Sequence, residues 1–191
     1  MNLTRFDFVL SEDEFSRIVF KFFPNESRCH LFDMGRPKTH NNIYKTYFNY
    51  RIYFETNYES SDFDPKVIWD CECDECSVID QVAYVCQQIS DGVFSIEAQK
   101  GSIKRKSDLG NISIEHFSDG IIWTIKKVES SRRRELWGQN MIEYYWRYEI
   151  LMRRSFDGAA FVFELSRDRL RVFGDYLEFC FNYMLEHGEP I

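Results

Sequence analysis

The chain alternates between two hydrophobic periods, and the switches between them mark its elements. Phe6, Phe8 and Leu10 alternate with Arg5, Asp7 and Val9, the two-residue period of a strand. Ser11 with Glu14 then forms a capping-box pair, and Phe15, Ile18, Val19 and Phe22 share one helical face that Pro24 stops. Strands are expected over Ser27 to Met34 and over Ile43 to Thr56, where Tyr44, Thr46, Phe48, Tyr50, Ile52 and Phe54 fall on one face. Val67-Ile68-Trp69 starts another. Ser77 to Ile89 is helical by period, with Val78, Val82, Val85 and Ile89 inward. Asp91-Gly92 turns the chain into a strand over Val93 to Gln99, and Ser118-Asp119-Gly120 joins Ile112 to Phe117 with Ile121 to Val128.

Met141 to Arg154 satisfies both periods. It is read as a strand because Phe156-Asp157-Gly158-Ala159 is a hairpin turn leading into the apolar run Ala160 to Leu165. A final helix follows through Leu170, Phe173, Leu177, Phe181 and Met184, with Gly188 and Pro190 as its stop. Gly35 to Asn42 and Lys100 to Asn111 are polar and breaker-rich, and read as loops. These elements predict an α+β fold: a largely antiparallel β-sheet of about seven to nine strands, covered by about three helices. No shift in composition divides the chain, so residues 1–191 are read as one domain.

One pattern occurs twice. F-x-F-x-L-S-x-D-x-[FL] runs from Phe6 to Phe15 and again from Phe161 to Leu170, an offset of 155. A duplicated half-domain would produce it. Two strand-to-helix junctions sharing one cap chemistry would also produce it, and a true repeat should persist past a single junction.

Composition sharpens the picture. Eighteen Phe, eleven Tyr and four Trp supply large rings for a core despite many charges. No apolar run approaches a membrane span, and the N-terminal residues lack a secretory layout, so the cytosol, or export without a cleaved leader, is expected, with reduced cysteines. The net charge is −7, and residues 55–80 alone hold nine carboxylates against Lys66. Such a stretch repels phosphate backbones and attracts a basic protein partner. Within it Glu59, Asp62, Asp64, Asp70, Glu72, Asp74 and Glu75 would steer the encounter, with Phe63 and Trp69 as anchors.

The same stretch holds Cys71, Cys73 and Cys76, a spacing able to wrap one Zn²⁺ with Cys29 or His30 as the fourth ligand. No second C-x-x-C pair supports it, and small buried thiols are the plainer account. Nine bases against four acids lie between Lys100 and Arg134, beside Trp123 and Trp137, an arrangement that could meet nucleic acid. The negative overall balance argues against that use. Nucleophile elbow, phosphate loop and H-E-x-x-H motifs are all missing, and the four histidines are scattered. Glu97-Ala98-Gln99-Lys100 approaches a metal-dependent nuclease core, but that core needs Glu-x-Lys and Lys100 stands one residue too far. No catalytic residue is therefore assigned.

The closing F-x-F-E-L-S strand, running into a long amphipathic helix, resembles that of bacterial immunity proteins paired with polymorphic toxins. The resemblance covers Phe161 to about Glu186. It implies a compact α+β protein that binds and blocks one cognate toxin, and it assigns no residue. The expectation is thus a cytosolic inhibitor of a basic, nuclease-like partner. A zinc module or metal-dependent enzyme built on the cysteines, and an oligomeric subunit using the many Tyr and Trp side chains, are the alternatives.

Overall fold

The computed structural model describes residues 3–30, 45–58, 63–90, 103–106, 111–114, 121–136 and 138–187. They form ten strands and two helices: β1 (Asp7–Glu12), β2 (Ser16–Phe22), β3 (Arg28–His30), β4 (Lys45–Thr56), β5 (Asp64–Glu75), α1 (Cys76–Ser90), β6 (Ile103–Lys106), β7 (Asn111–Ile114), β8 (Ile121–Leu136), β9 (Gln139–Arg154), β10 (Ala160–Ser166) and α2 (Arg167–His187). The class is α+β and every strand pairing is antiparallel. The strands make two sheets where one was expected. In the first, β1-β2-β4 run side by side, β3 continues along the β2 side of β4, and β5 takes its other side. The second has the order β10-β9-β8-β7-β6. Each sheet is followed in sequence by one helix.

The helix expected after Ser11 is a strand. Asp13 decides this: its Oδ1 accepts from the backbone N–H of Phe15 at 2.9 Å and of Ser16 at 2.7 Å. That Asx turn reverses the chain and lays β2 against β1. Ile18, Phe20 and Phe22 then share one face of β2, and Arg17, Val19 and Lys21 the other. The two F-x-F-x-L-S copies therefore lead to different structures, a hairpin after β1 and a helix after β10. The first copy is thus not the strand-to-helix junction expected of it: Asp13 makes a turn there, whereas Ser166 accepts from the Arg169 N–H at the start of α2. Among the described residues there are two helices rather than three. The Lys100 to Asn111 loop includes β6, and five of the nine acids of the 55–80 stretch lie on the strand β5. The strand expected over Val93 to Gln99 and the Gly35 to Asn42 loop lie outside the described residues.

One hydrophobic core joins both sheets and both helices. Phe173 of α2 is its hub. Its ring lies 5.1 Å from Phe8 and 5.8 Å from Phe20 in the first sheet, and 5.6 Å from Phe163 and 6.5 Å from Trp123 in the second. The next residue lets the helices close. A Cβ on Gly174 would stand 2.9 Å from the Ala83 carbonyl oxygen and 3.0 Å from Cys86 Cβ, both on α1. Gln87 of α1 clamps the same crossing, donating to Asp175 Oδ1 at 3.0 Å and to Glu178 Oε2 at 2.7 Å. Gly174→Ala gains helix propensity but must push a backbone carbonyl aside. A net loss of about 1–2 kcal/mol is expected in urea unfolding. An unchanged or higher midpoint would show that the helices can part without cost.

Candidate interaction site

The second sheet projects well past its own core. β8 and β9 pair in register over their full 16 residues, from Ile121↔Arg154 to Leu136↔Gln139. Their neighbours stop early: β7 pairs with β8 only over Trp123–Lys126, and β10 pairs with β9 only over Arg147–Arg153. The eight pairs from Glu129↔Trp146 outward thus hold only to each other among the described residues. At about 3.3 Å per residue they form an arm about 25 Å long, with neither outer edge paired to another described strand. Gly138, at φ 76°, supplies the left-handed conformation at its tip.

Alternation fixes what each face of the arm carries. On the core side, buried Trp123 and Ile125 lie opposite Met152 and Ile150, with Tyr148 beside them. Beyond Tyr148 the same β9 face continues as Trp146, Tyr144 and Ile142, and these are 49%, 67% and 59% exposed. The Lys127 ammonium sits 3.9 Å from the Trp146 ring centre. The opposite face carries Arg132, Arg134, Met141, Glu143, Tyr145 and Arg147. Arg132 Nε donates to Glu143 Oε2 at 2.8 Å, and Arg134 stands 3.7 Å from the same oxygen. The hydrogen bond from Arg132 holds the Glu143 carboxyl below its ordinary range, against the opposing effect of desolvation. The guanidinium groups of Arg132 and Arg147 also lie 5.6 Å and 5.9 Å from the Tyr145 ring centre. The arm therefore presents exposed rings, a methionine and oriented arginines.

The sites expected from sequence fare differently. Trp69 is buried in the core, its ring tilted against Phe161 at 6.3 Å, so it is no exposed anchor. Its strand has an inner face, and Trp69 and Cys71 occupy it. Phe63 is half-buried. Asp70 is exposed but engaged, accepting from Arg51 Nε at 3.0 Å, while the other end of Arg51 meets Glu26. Asp64, Glu72, Asp74 and Glu75 have described backbone positions on β5, whereas Glu59 and Asp62 lie outside the described residues. Val67 and Ile68 of β5, which sequence reading passed over, are exposed.

For the metal reading, Cys71 is a core thiol, as are Cys86 and Cys180. Burial pushes the Cys180 thiol up to about 12 and Cys86 higher still, which leaves both protonated and inert. Cys29 pairs with Thr46 on one side of β4 and Glu75 pairs with Tyr47 on the other, about 10 Å apart by strand spacing. The side chains of Cys29, His30, Cys73 and Cys76 lie outside the described residues, and among those described no group of three or more His, Cys, Asp or Glu could hold a metal ion. Trp123 is fully buried and is no stacking platform, and Trp137 lies outside the described residues. No helix among the described residues is long and apolar enough to cross a membrane.

No family model matches the chain, nor does any curated protein or solved structure.

Proposed function

We propose that this chain is a protein-binding module of the inhibitory kind, and that the overhanging half of β8–β9 is its docking element. The observation that carries this is the exposed row Ile142, Tyr144 and Trp146, continuing a core-facing surface beyond the last neighbouring strand among the described residues. Tyr, Trp, Met and Arg are the side chains enriched where proteins meet, and large rigid rings supply most of the binding energy at such contacts. An exposed apolar row of this kind supports a partner.

The narrower reading is a cytosolic inhibitor that acts by occupancy, without chemistry of its own, on a basic toxin. It is supported by the acid-rich β5 and the chain's net charge of −7. Clustered acids would hasten the encounter with a cationic partner, and the arm would hold it.

The test compares the wild-type chain with the Tyr144→Ala/Trp146→Ala double variant, each purified from its own host cells and weighed by native mass spectrometry. Both rings are exposed, so the variant is expected to keep its unfolding midpoint to within about 0.5 kcal/mol. The wild type is expected to carry a second, basic polypeptide that the variant lacks. A partner retained by the variant would remove the arm from the reading. Nucleic acid recovered in place of a polypeptide would overturn the reading altogether.

A further inference from the structure

The outer side of α2 carries a groove that combines rings with acids. A surface cavity of about 370 Å³ is lined by Asp175, Glu178, Phe179, Asn182, Tyr183 and Glu186. Spaced three and four apart, these residues form one stripe along the helix. From Val172 to His187 there are three acids and neither lysine nor arginine. Among the described residues none of the three acids has a lysine or arginine partner: Gln87 donates to Asp175 and Glu178, and Glu186 stands 3.9 Å from His187. The acids also oppose the helix that holds them. Asp175 and Glu178 are like charges three residues apart, and Glu186 lies in the last turn, where the helix dipole disfavours an anion. The rings of the groove, by contrast, already hold a cation. The Arg5 guanidinium carbon lies 5.9 Å from the Phe179 ring centre and 4.9 Å from that of Tyr183, with Phe6 completing the cluster at 4.8 Å. An arginine of the chain itself thus shows what this ring pair accepts. Resting on the reading of this chain as a binder of a basic polypeptide, we infer that the α2 groove is a second contact for that partner, and that it seats an arginine or lysine side chain on Phe179 and Tyr183 between the flanking acids.

The spacing selects a polypeptide over a single ion. Asp175 and Glu186 are eleven residues apart, about 16 Å along the helix axis, too far to share one metal ion. A basic segment lying along the helix meets all three carboxylates at once. The rings favour a weakly hydrated guanidinium over a hydrated metal, and the Asn182 side chain adds a carbonyl oxygen that accepts from it. Acids that work against their own helix have a use once a cation lies over them, since the partner then relieves both the like-charge pair and the clash with the dipole.

Acetylated tri-arginine amide, titrated into the full chain and followed by the backbone amide signals in NMR, tests this. The tri-citrulline peptide, of the same shape without the charge, is the control. Tri-arginine is expected to saturate with a dissociation constant on the order of 1 mM at low salt, to shift the signals from Asp175 to Glu186 most, and to weaken at least about tenfold at high salt. Asp175→Asn/Glu178→Gln/Glu186→Gln should weaken it at least about tenfold while the urea midpoint stays level or rises, because the lost charges opposed the helix. Phe179→Leu keeps every acid and should still weaken it about threefold. Equal shifts from tri-citrulline would overturn the inference, as would unchanged binding by either variant. In native mass spectrometry the neutralised variant is expected to shed the basic polypeptide that the wild type carries. If tri-arginine ignores α2 yet the Tyr144→Ala/Trp146→Ala variant still loses its polypeptide, the groove falls and the reading of the arm stands. If tri-arginine seats on α2 but the wild type carries no polypeptide, the groove stands as a cation seat and the inhibitor reading falls.

Discussion

Phe173→Ala is expected to destabilise the protein by about 4 kcal/mol. The ring is fully buried and packs against Phe8 and Phe20 on one side and Phe163 and Trp123 on the other. Truncation removes the transfer free energy of a phenyl group and leaves a cavity. The cavity walls belong to two separate sheets and cannot both follow the missing ring inward. Urea unfolding should show a lower midpoint with the slope m preserved, since the surface exposed on unfolding barely changes. Phe179→Ala is the control. That ring lies on the same helix but is 37% exposed, and its loss should be about 1 kcal/mol or less. A Phe173 effect no larger than that of Phe179 would mean that α2 does not couple the two sheets.

The contrast between these two rings was readable in advance, because α2 obeys one period throughout. Leu170, Phe173, Leu177, Phe181 and Met184, spaced for one face, are all buried. The β9 strand was legible for a different reason. Its own pattern was ambiguous, and the turn at Phe156 to Ala159 resolved it by requiring an antiparallel partner for β10. β2 shows the limit of periodicity. Phe15, Ile18, Val19 and Phe22 fit a helix, while Ile18, Phe20 and Phe22 fit a strand equally well. The choice was made by Asp13, whose carboxylate serves the amides of a turn instead of a helix start.

The arm was missed because its β8 half carries no apolar alternation. Val128-Glu129-Ser130-Ser131-Arg132-Arg133-Arg134-Glu135 is polar on both faces, and only pairing with β9 keeps it extended. Strand length held the missing signal. Met141 to Arg154 is too long for a partner that ends at Val128, so the excess had either to hang alone or to recruit the residues before Trp137. On β5 the error ran the other way. Charge density suggested an exposed surface, yet every second residue of a strand can face a core, and Trp69 and Cys71 do so on either side of Asp70.

The second large effect is expected at Glu55, on the opposite face of the first sheet from the core. Glu55 on β4 lies directly across from Arg17 on β2, and Lys21 follows on the same β2 face. Arg17 Nε donates to Glu55 Oε2 at 2.7 Å, and Lys21 Nζ stands 2.7 Å from Oε1. The Tyr58 ring lies 4.4 Å from the Arg17 guanidinium carbon, the Tyr53 ring lies 5.2 Å from Lys21 Nζ, and Glu55 itself is fully buried. Burial pushes the Glu55 carboxyl up, but the hydrogen bonds from Lys21 and Arg17 outweigh it and hold the group below the ordinary glutamate value. Glu55→Ala leaves two covered cations facing each other, and a loss of about 3 kcal/mol is expected. The sign of the pH dependence follows from the lowered folded-state value. The contribution is fully present above the ordinary glutamate range and is lost as pH falls through the folded-state value. Glu55→Gln cannot ionise, so its stability deficit relative to wild type should be largest near neutrality and should shrink in acid. Urea midpoints measured from pH 7 to pH 3 check this, and a deficit that stays constant over that range would show that the carboxylate charge contributes nothing to the folded state.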